Sequence, residues 1–491
     1  MLYILTLLTI ILLTLSSIIF NLWFLVFAAL VPYFYFLNKD YSKKKTFFGG
    51  FIVGVFSCFG IIFPVLYAHP IIWVPICLTF GILFGLGGLA YRKFKQGNIV
   101  DIFIFAAIWT LAEWLAETIF QNFYYGALGY TAHNFIPLLS FASIGGIFLI
   151  SFIIAAINGF IGWGWIHRRL DKKFLITISI FAAAILGIYW ANYIYLNPKN
   201  PDGHFSSFSI IQIDEKSLPY GKIINGNFII DEKIKNLIQK AVSSGSDYIV
   251  YPYSFVKEAL IFQNSGIKSL NVAGTFEEVG KWLKSVIPPE RTLIFWPDMM
   301  REQDKITDEV VFWKDGKILD YYQKRILAPL RDYTVATGVS VNPYDYVPAE
   351  KDEVIRINND IFGNLSCSEI NQSFLARRDS DKTNITLFIG YSDIFEDYFY
   401  RKINLASSQI RAAENNLPLI RSDIYGPSAF IDKQGKIISN LGENKNDILI
   451  GKIFVESSHR RTLYSRFGDA PLIILLAIFL GIIGFRKRNK N

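Results

Sequence analysis

Histidine and cysteine are scarce in this chain, with five and three among 491 residues. His69, His133 and His167 fall in or beside apolar stretches, and His204 and His459 stand far apart, so no zinc-type spacing exists. The same scarcity argues against a Cys–His nucleophile pair. Charge is thin as well. Asp, Glu, Lys and Arg make up 18% of the residues, against about 25% in an ordinary soluble protein, which excludes a chain dissolved in water throughout. The opening MLYILT carries no basic region and no small-residue cleavage site follows it. The first segment is therefore expected to be retained rather than removed as a signal peptide. Repeats and low-complexity segments are missing apart from a short basic tail.

What is present is a row of apolar stretches, over roughly 2–20, 21–38, 46–68, 70–91, 101–120, 137–166, 174–196 and 470–485. Each is near or beyond the ~20 residues a helix needs to cross a bilayer, which predicts eight spans. Basic residues collect in alternate loops: Lys39 and Lys43 to Lys45, Arg92, Lys93 and Lys95, Arg168, Arg169, Lys172 and Lys173, and the tail from Arg486. The loops between them hold no Lys or Arg. Positive loops stay in the cytoplasm, so both termini are expected inside and the long segment after the seventh span outside. The net charge of +8 is then topology signal plus contact with anionic lipid, and nucleic acid is not needed as a partner.

The outer segment has another texture. Short β-type runs, FSIIQI (208–213), DYIVYP (247–252), TLIFWP (292–297) and ITLFIGY (385–391), alternate with helical patterns. Ile234, Leu237, Ile238 and Val242 make one helical face, and turns fall at Asp315-Gly316 and Lys433-Gln434-Gly435. This predicts an α/β sandwich. The expected domains are a membrane bundle over 1–200, an extracytoplasmic domain over 201–465, and an eighth span with a basic cytoplasmic tail over 466–491.

Cys58 and Cys77 lie in predicted spans, which leaves Cys367 alone in the outer domain. A lone cysteine in an oxidising compartment forms no internal disulfide and is a candidate reactive thiol, or else an ordinary buried one. Its context, GNLSCSEI, ends a β-type run in polar residues, the kind of turn that presents a nucleophile. Thiol chemistry needs a nearby cation and a proton carrier. With histidine scarce, and His204 and His459 at the edges of the outer domain, Lys and Asp or Glu remain.

Several motifs together carry a resemblance. IWTLAEWL (108–115), YYGALGYT (124–131) and SIGGIFLISFIIAAIN (143–158) in the membrane half, and YYQKRILAPLRDY (321–333), SCSEI (366–370) and IRAAENNLPLIRS (410–422) followed by GPSAFIDKQGKI in the outer half, resemble the apolipoprotein N-acyltransferase family. Its members are eight-span inner-membrane proteins with a nitrilase-like αββα sandwich domain of the carbon-nitrogen hydrolase type. The resemblance implies Cys367 as nucleophile, Lys324 as the catalytic lysine, Asp332 at a supporting glutamate position and Glu369 organising the lysine or its loop. It implies ping-pong acyl transfer from phospholipid to the α-amine of a diacylglyceryl-cysteine lipoprotein, without cofactor or metal. The chain departs from the pattern at VYPYSF (250–255), where Tyr253 fills the slot of the general-base glutamate, and Ser368 replaces a tyrosine. Glu258, Asp332 and Glu369 are the candidate substitute bases. Three readings stay open: a working acyltransferase, a catalytically impaired descendant that binds lipid or lipoprotein or scaffolds an envelope complex, and a thiol enzyme with another acyl or amide substrate. FVKEALIF (255–262) and ILAPL (326–330) are read as apolar lids or plain core.

Overall fold

The computed structural model describes residues 2–17, 22–68, 70–120, 126–168, 171–214, 222–224, 227–252, 255, 260–261, 276–300, 305–327, 345–349, 354–391 and 398–488. Tyr253, Glu258 and Asp332 lie outside the described residues, as do most of the two stretches read as lids. The chain divides into two compact units. One comprises 1–199, 413–416 and 460–491, the other 200–412 and 417–459.

The first unit is helical. Among the described residues, five helices are long and apolar enough to cross a membrane: Val74–Phe94, Val100–Ile119, Ala142–His167, Lys172–Leu196 and Ala470–Lys487. The helices Leu2–Ser16 and Lys43–Ala68 cover two more of the apolar stretches. The 21–38 stretch is broken into Trp23–Leu25, Val26–Ala29 and Val31–Leu37, with Pro32 in the first turn of the last piece. Proline fits only there, because it lacks the N–H that later turns require.

Such a break exposes backbone groups that lipid cannot satisfy. Asn158, buried on Ala142–His167, supplies partners. Its Oδ1 accepts from the Leu30 N–H at 2.8 Å, and its Nδ2 donates to the carbonyl of Val26 at 2.8 Å. The sequence motifs of this half meet in the same way. Glu113 Oε1 accepts from the Trp109 indole N–H (2.7 Å) and the Leu128 N–H (3.0 Å), while Ser151 Oγ accepts from the Gly129 N–H (2.9 Å). A Cβ on Gly129 would lie 2.3 Å from the Ile147 carbonyl oxygen, so only glycine allows this approach. At one end of the unit the Lys487 ammonium donates to the carbonyls of Lys93 and Lys95 (both 2.9 Å), Lys95 reaches the Asn38 carbonyl (3.4 Å), and Arg92 donates to the Tyr41 carbonyl. Three of the basic segments therefore share that end.

The second unit contains two large sheets. In one, the strands run in the order Asp447–Glu456, Gly203–Gln212, Tyr248–Tyr251, Thr292–Phe295, Lys305–Lys314, and Lys317–Gln323 also pairs with Lys305–Lys314. In the other the order is Ile355–Ile357, Asp360–Ser366, Ile385–Tyr391, Leu419–Ile424, Ala429–Ile431, Ile437–Asn440. All four β-type runs read from the sequence are strands. Their alternation divides the core, because successive side chains leave a strand on opposite faces. Ile210, Val250, Ile294 and Phe312 pack with Phe362, Ile385, Leu387 and Ile420 between the sheets. Ile211, Ile249, Leu293 and Val311 face the other way, onto the helices Glu232–Ser243 and Phe276–Val286. Phe388 and Leu419 face Leu375, Ala376 and Ala412 on the second sheet's outer side. The result is an αββα sandwich. On Glu232–Ser243 the buried face is Ile234, Leu237, Ile238 and Ala241, with Val242 at its edge.

The hairpin at Asp315-Gly316 sets the register of the strand that leads to Lys324. Both turn residues have positive φ (46° and 80°), as a two-residue turn between twisted strands requires. Lys314 pairs with Lys317, but a β-bulge between Phe312 and Trp313 then shifts the register, so that Phe312 faces Asp320 and Glu309 faces Gln323. In the helical unit, replacing Asn158 with Leu would remove the side-chain partner of the Leu30 N–H and of the Val26 carbonyl. The expected loss is about 1–2 kcal/mol of bundle stability, read as a lower unfolding midpoint in detergent.

Candidate active site

Cys367 stands where the strand Asp360–Ser366 ends and the 3-10 turn Cys367–Asn371 begins. Its φ is +50°, a conformation that costs an ordinary L-residue free energy and is held only where the surroundings impose it. Glu369, two residues on, closes the turn. The carboxylate is fully buried, and it reaches back so that Oε2 accepts from the Ser366 N–H (2.9 Å) and the Tyr322 O–H (2.5 Å). Oε1 accepts from the N–H groups of Arg325 (2.7 Å) and Ile326 (3.0 Å). One side chain thus ties the strand end carrying Cys367, in one sheet, to the segment that follows Lys317–Gln323 in the other.

Arg325 backs this clamp. Its Nη1 donates to both oxygens of Asp379 (2.9 and 2.7 Å), its Nε to Tyr322 Oη (2.9 Å) and its Nη2 to the Asn364 carbonyl (3.2 Å). Burial pulls the guanidinium down, but Tyr322, Glu369 and Asp379 outweigh it and hold Arg325 above its ordinary value. Burial pushes the Glu369 carboxyl up, against the opposing pull of Arg325 and its hydrogen bonds. Burial first, then the Glu369 charge, raises the Tyr322 phenol well above its ordinary value, so the proton stays on Tyr322 and is donated to Glu369.

Lys324 has no exposed surface. A buried ammonium needs a counter-charge, and Asp308, also buried, provides it with Oδ2 at 3.5 Å from Nζ. The Lys324 N–H also donates to the Asp308 carbonyl at 2.9 Å. The other carboxylate oxygen of Asp308 accepts from the Trp296 indole N–H and, at 3.4 Å, from Ser366 Oγ, one residue before the thiol. Cys367 itself is buried in the inter-sheet core. A second buried cation, Arg421, lies within electrostatic reach of it. Burial lowers the Arg421 guanidinium, opposed by Asp423, Tyr400 and Cys367, and its Nη2 donates to Asp423 Oδ2 at 2.6 Å.

Of the residues singled out in the sequence, the structure thus assembles Lys324, the Cys367 turn and Glu369 around one point. Asp308 is not among them. It sits inside a run, TDEVVFW, that reads as ordinary strand, and the signal that exposes it is register. Counting back from the Asp315-Gly316 turn pairs Lys324 with Thr307, and the bulge moves that pairing by one residue, to Asp308. Among the described residues, no group of three or more His, Cys, Asp or Glu could hold a metal ion.

Comparison with known proteins covers both units. Residues 11–160 match the family model of the apolipoprotein N-acyltransferase N-terminal domain, and residues 231–459 match that of carbon-nitrogen hydrolase. Apolipoprotein N-acyltransferase 1 of Treponema denticola is 23% identical, the alignment covering 95% of this chain and 93% of that protein. The apolipoprotein N-acyltransferase of Aquifex aeolicus is 24% identical over 88% of this chain and 93% of that protein. The one from Vibrio vulnificus is 23% identical over 82% and 78%. Both family models match in the order that the motifs of the two halves implied, and the chain belongs to the apolipoprotein N-acyltransferase family.

Proposed function

We propose that this protein transfers an acyl chain from a membrane phospholipid, through a thioester on Cys367, to the N-terminal amine of a diacylglyceryl lipoprotein. The observation that carries the reading is the union of a left-handed cysteine at a strand end with a buried, charge-paired lysine reached through its neighbour Ser366. In the first half-reaction the Cys367 thiolate attacks the ester carbonyl. The bond to the glycerol oxygen breaks, and the proton the thiol gave up ends on the lysophospholipid hydroxyl. In the second, the acceptor amine attacks the thioester, the C–S bond breaks, an amide forms and the amine's proton returns to sulfur. Lys324 stabilises the thiolate and the developing oxyanion, a contribution worth roughly 3–4 kcal/mol for one preorganised donor in a dry site. Glu369 acts as a clamp, since four donors already occupy its oxygens. Asp332, Glu258 and Tyr253 keep only the roles suggested by the sequence motifs. Tyr253 in the glutamate slot favours a second reading, a lipid- or lipoprotein-binding descendant without turnover.

We also propose eight spans, both termini in the cytoplasm, and the sandwich domain outside the inner membrane. The shared end of the 38–45, 92–95 and 487 segments supports this sidedness, because they carry basic residues that remain inside. In a background without native cysteines, Lys199→Cys is expected to react with an impermeant maleimide in intact spheroplasts, and Lys44→Cys only after lysis. The reverse labelling would invert the topology.

Incubating the purified protein with phospholipid is expected to add one acyl mass, absent in Cys367→Ala and released by hydroxylamine. No adduct, with lipid bound, favours the second reading. Glu369→Gln leaves buried donors unpaired and is expected to cost about 1–3 kcal/mol of stability, with activity falling as the folded fraction falls. A loss of turnover at unchanged Tm would instead make Glu369 a participant in proton transfer.

A further inference from the structure

Two described carboxylates border the Cys367 turn, and they are used differently. Glu369 commits both oxygens to three backbone N–H groups and a phenol. Asp308 commits one oxygen to an indole and a hydroxyl, both neutral, and turns the other to the Lys324 ammonium. A purely structural buried ion pair has weak reason to exist, because apolar side chains of similar size do as well or better for stability. Here the pair sits one residue from a thiol held in a strained conformation. Main chain also joins the two residues, the Lys324 N–H donating to the Asp308 carbonyl, and the next residue, Glu309, donates its N–H to the Pro297 carbonyl at 3.2 Å. Glu309 itself turns to Thr307 Oγ1 at 2.5 Å, on the opposite face of the strand.

We infer that Asp308 is a positioning residue for the acyl transfer: it fixes the Lys324 ammonium against Cys367 and supplies, from the Lys305–Lys314 strand, the buried negative charge that a tyrosine at 253 does not. The inference rests on Cys367 being the nucleophile, and it goes beyond that reading by naming the carboxylate. Asp308 acts through Lys324 and touches no reacting atom. In Asp308→Asn the side chain keeps its shape and still accepts from Trp296 and Ser366, but presents no charge to the lysine. The ammonium then loses the charge that Asp308 presents to it and shifts from its position in the site.

The test uses the full-length protein in detergent and follows Cys367 in two ways, by the iodoacetamide alkylation rate at fixed pH, read on the Cys367 peptide by mass spectrometry, and by the single-turnover rate of acyl-enzyme formation from phospholipid. Asp308→Asn is expected to slow both on the order of 100-fold, the usual cost of misplacing a reactive group by about an ångström. The phospholipid concentration at half-saturation should stay as in the parent, and both rates are taken per folded protein, because breaking a buried ion pair also lowers the Tm. Asp308→Glu should restore part of the rate. In a Lys324→Met background, Asp308→Asn should add less than about twofold, since residues acting as one unit are not additive. The inference is overturned if Asp308→Asn reacts at the parent's rate, if its loss follows the folded fraction, or if it multiplies fully with Lys324→Met. If the alkylation pattern holds while the parent forms no acyl-enzyme, the positioning role stands and the acyl-transfer reading falls.

Discussion

A single buried carboxylate holds the site together. Glu369 reaches from the turn after one sheet's strand to the backbone that leaves the other sheet, satisfying the N–H groups of Ser366, Arg325 and Ile326 at once. Ser366 and Arg325 are buried and Ile326 is half-buried, and a buried donor costs about 1–3 kcal/mol if left unpaired. The clamp therefore fixes the strand end at Cys367, the entry of Lys324 into the core and the spacing between the two. Arg325, paired with Asp379 on the helix Ser373–Asp379, offsets the clamp's charge. Both oxygens of Glu369 are occupied by donors, and satisfied polar networks of this kind rigidify the backbone they join.

The helical unit meets the same demand in a harsher solvent. Lipid offers no hydrogen bonds, so the interrupted 21–38 segment is sustained by Asn158, and the loop after Val100–Ile119 by Glu113 and Ser151. In both units the irregular backbone occurs where a side chain from a distant part of the sequence completes it.

Much of this is legible in the sequence. Apolar stretches of span length and alternating strand runs follow from the two periodicities of helix and strand. The four strand runs appear as strands, and among the described residues five helices are long and apolar enough to cross a membrane, while the 21–38 stretch is broken. Lys324, Cys367 and Glu369 can be found because their motifs are local and keep their spacing along the chain. The role of Glu369 is harder to read. Its sequence shows a carboxylate near a thiol, and only the fold shows that backbone donors 43 and 44 residues away occupy it. Asn158 likewise reads as one polar residue in an apolar helix.

The sequence by itself determined which residues face the core, where the turns fall and which thiol stands alone in the outer domain. These depend on side-chain alternation, positive-φ turn residues and composition, all of which are properties of short segments. The tertiary structure decided which carboxylate meets Lys324. Counting from the Asp315-Gly316 turn gives Thr307, and the bulge at Phe312 and Trp313 gives Asp308 instead. A one-residue slip turns every side chain to the opposite face. The packing of Trp313 and Phe312 on either side of their sheet fixes where that slip occurs, and a hairpin's own sequence does not contain the sheets it packs against.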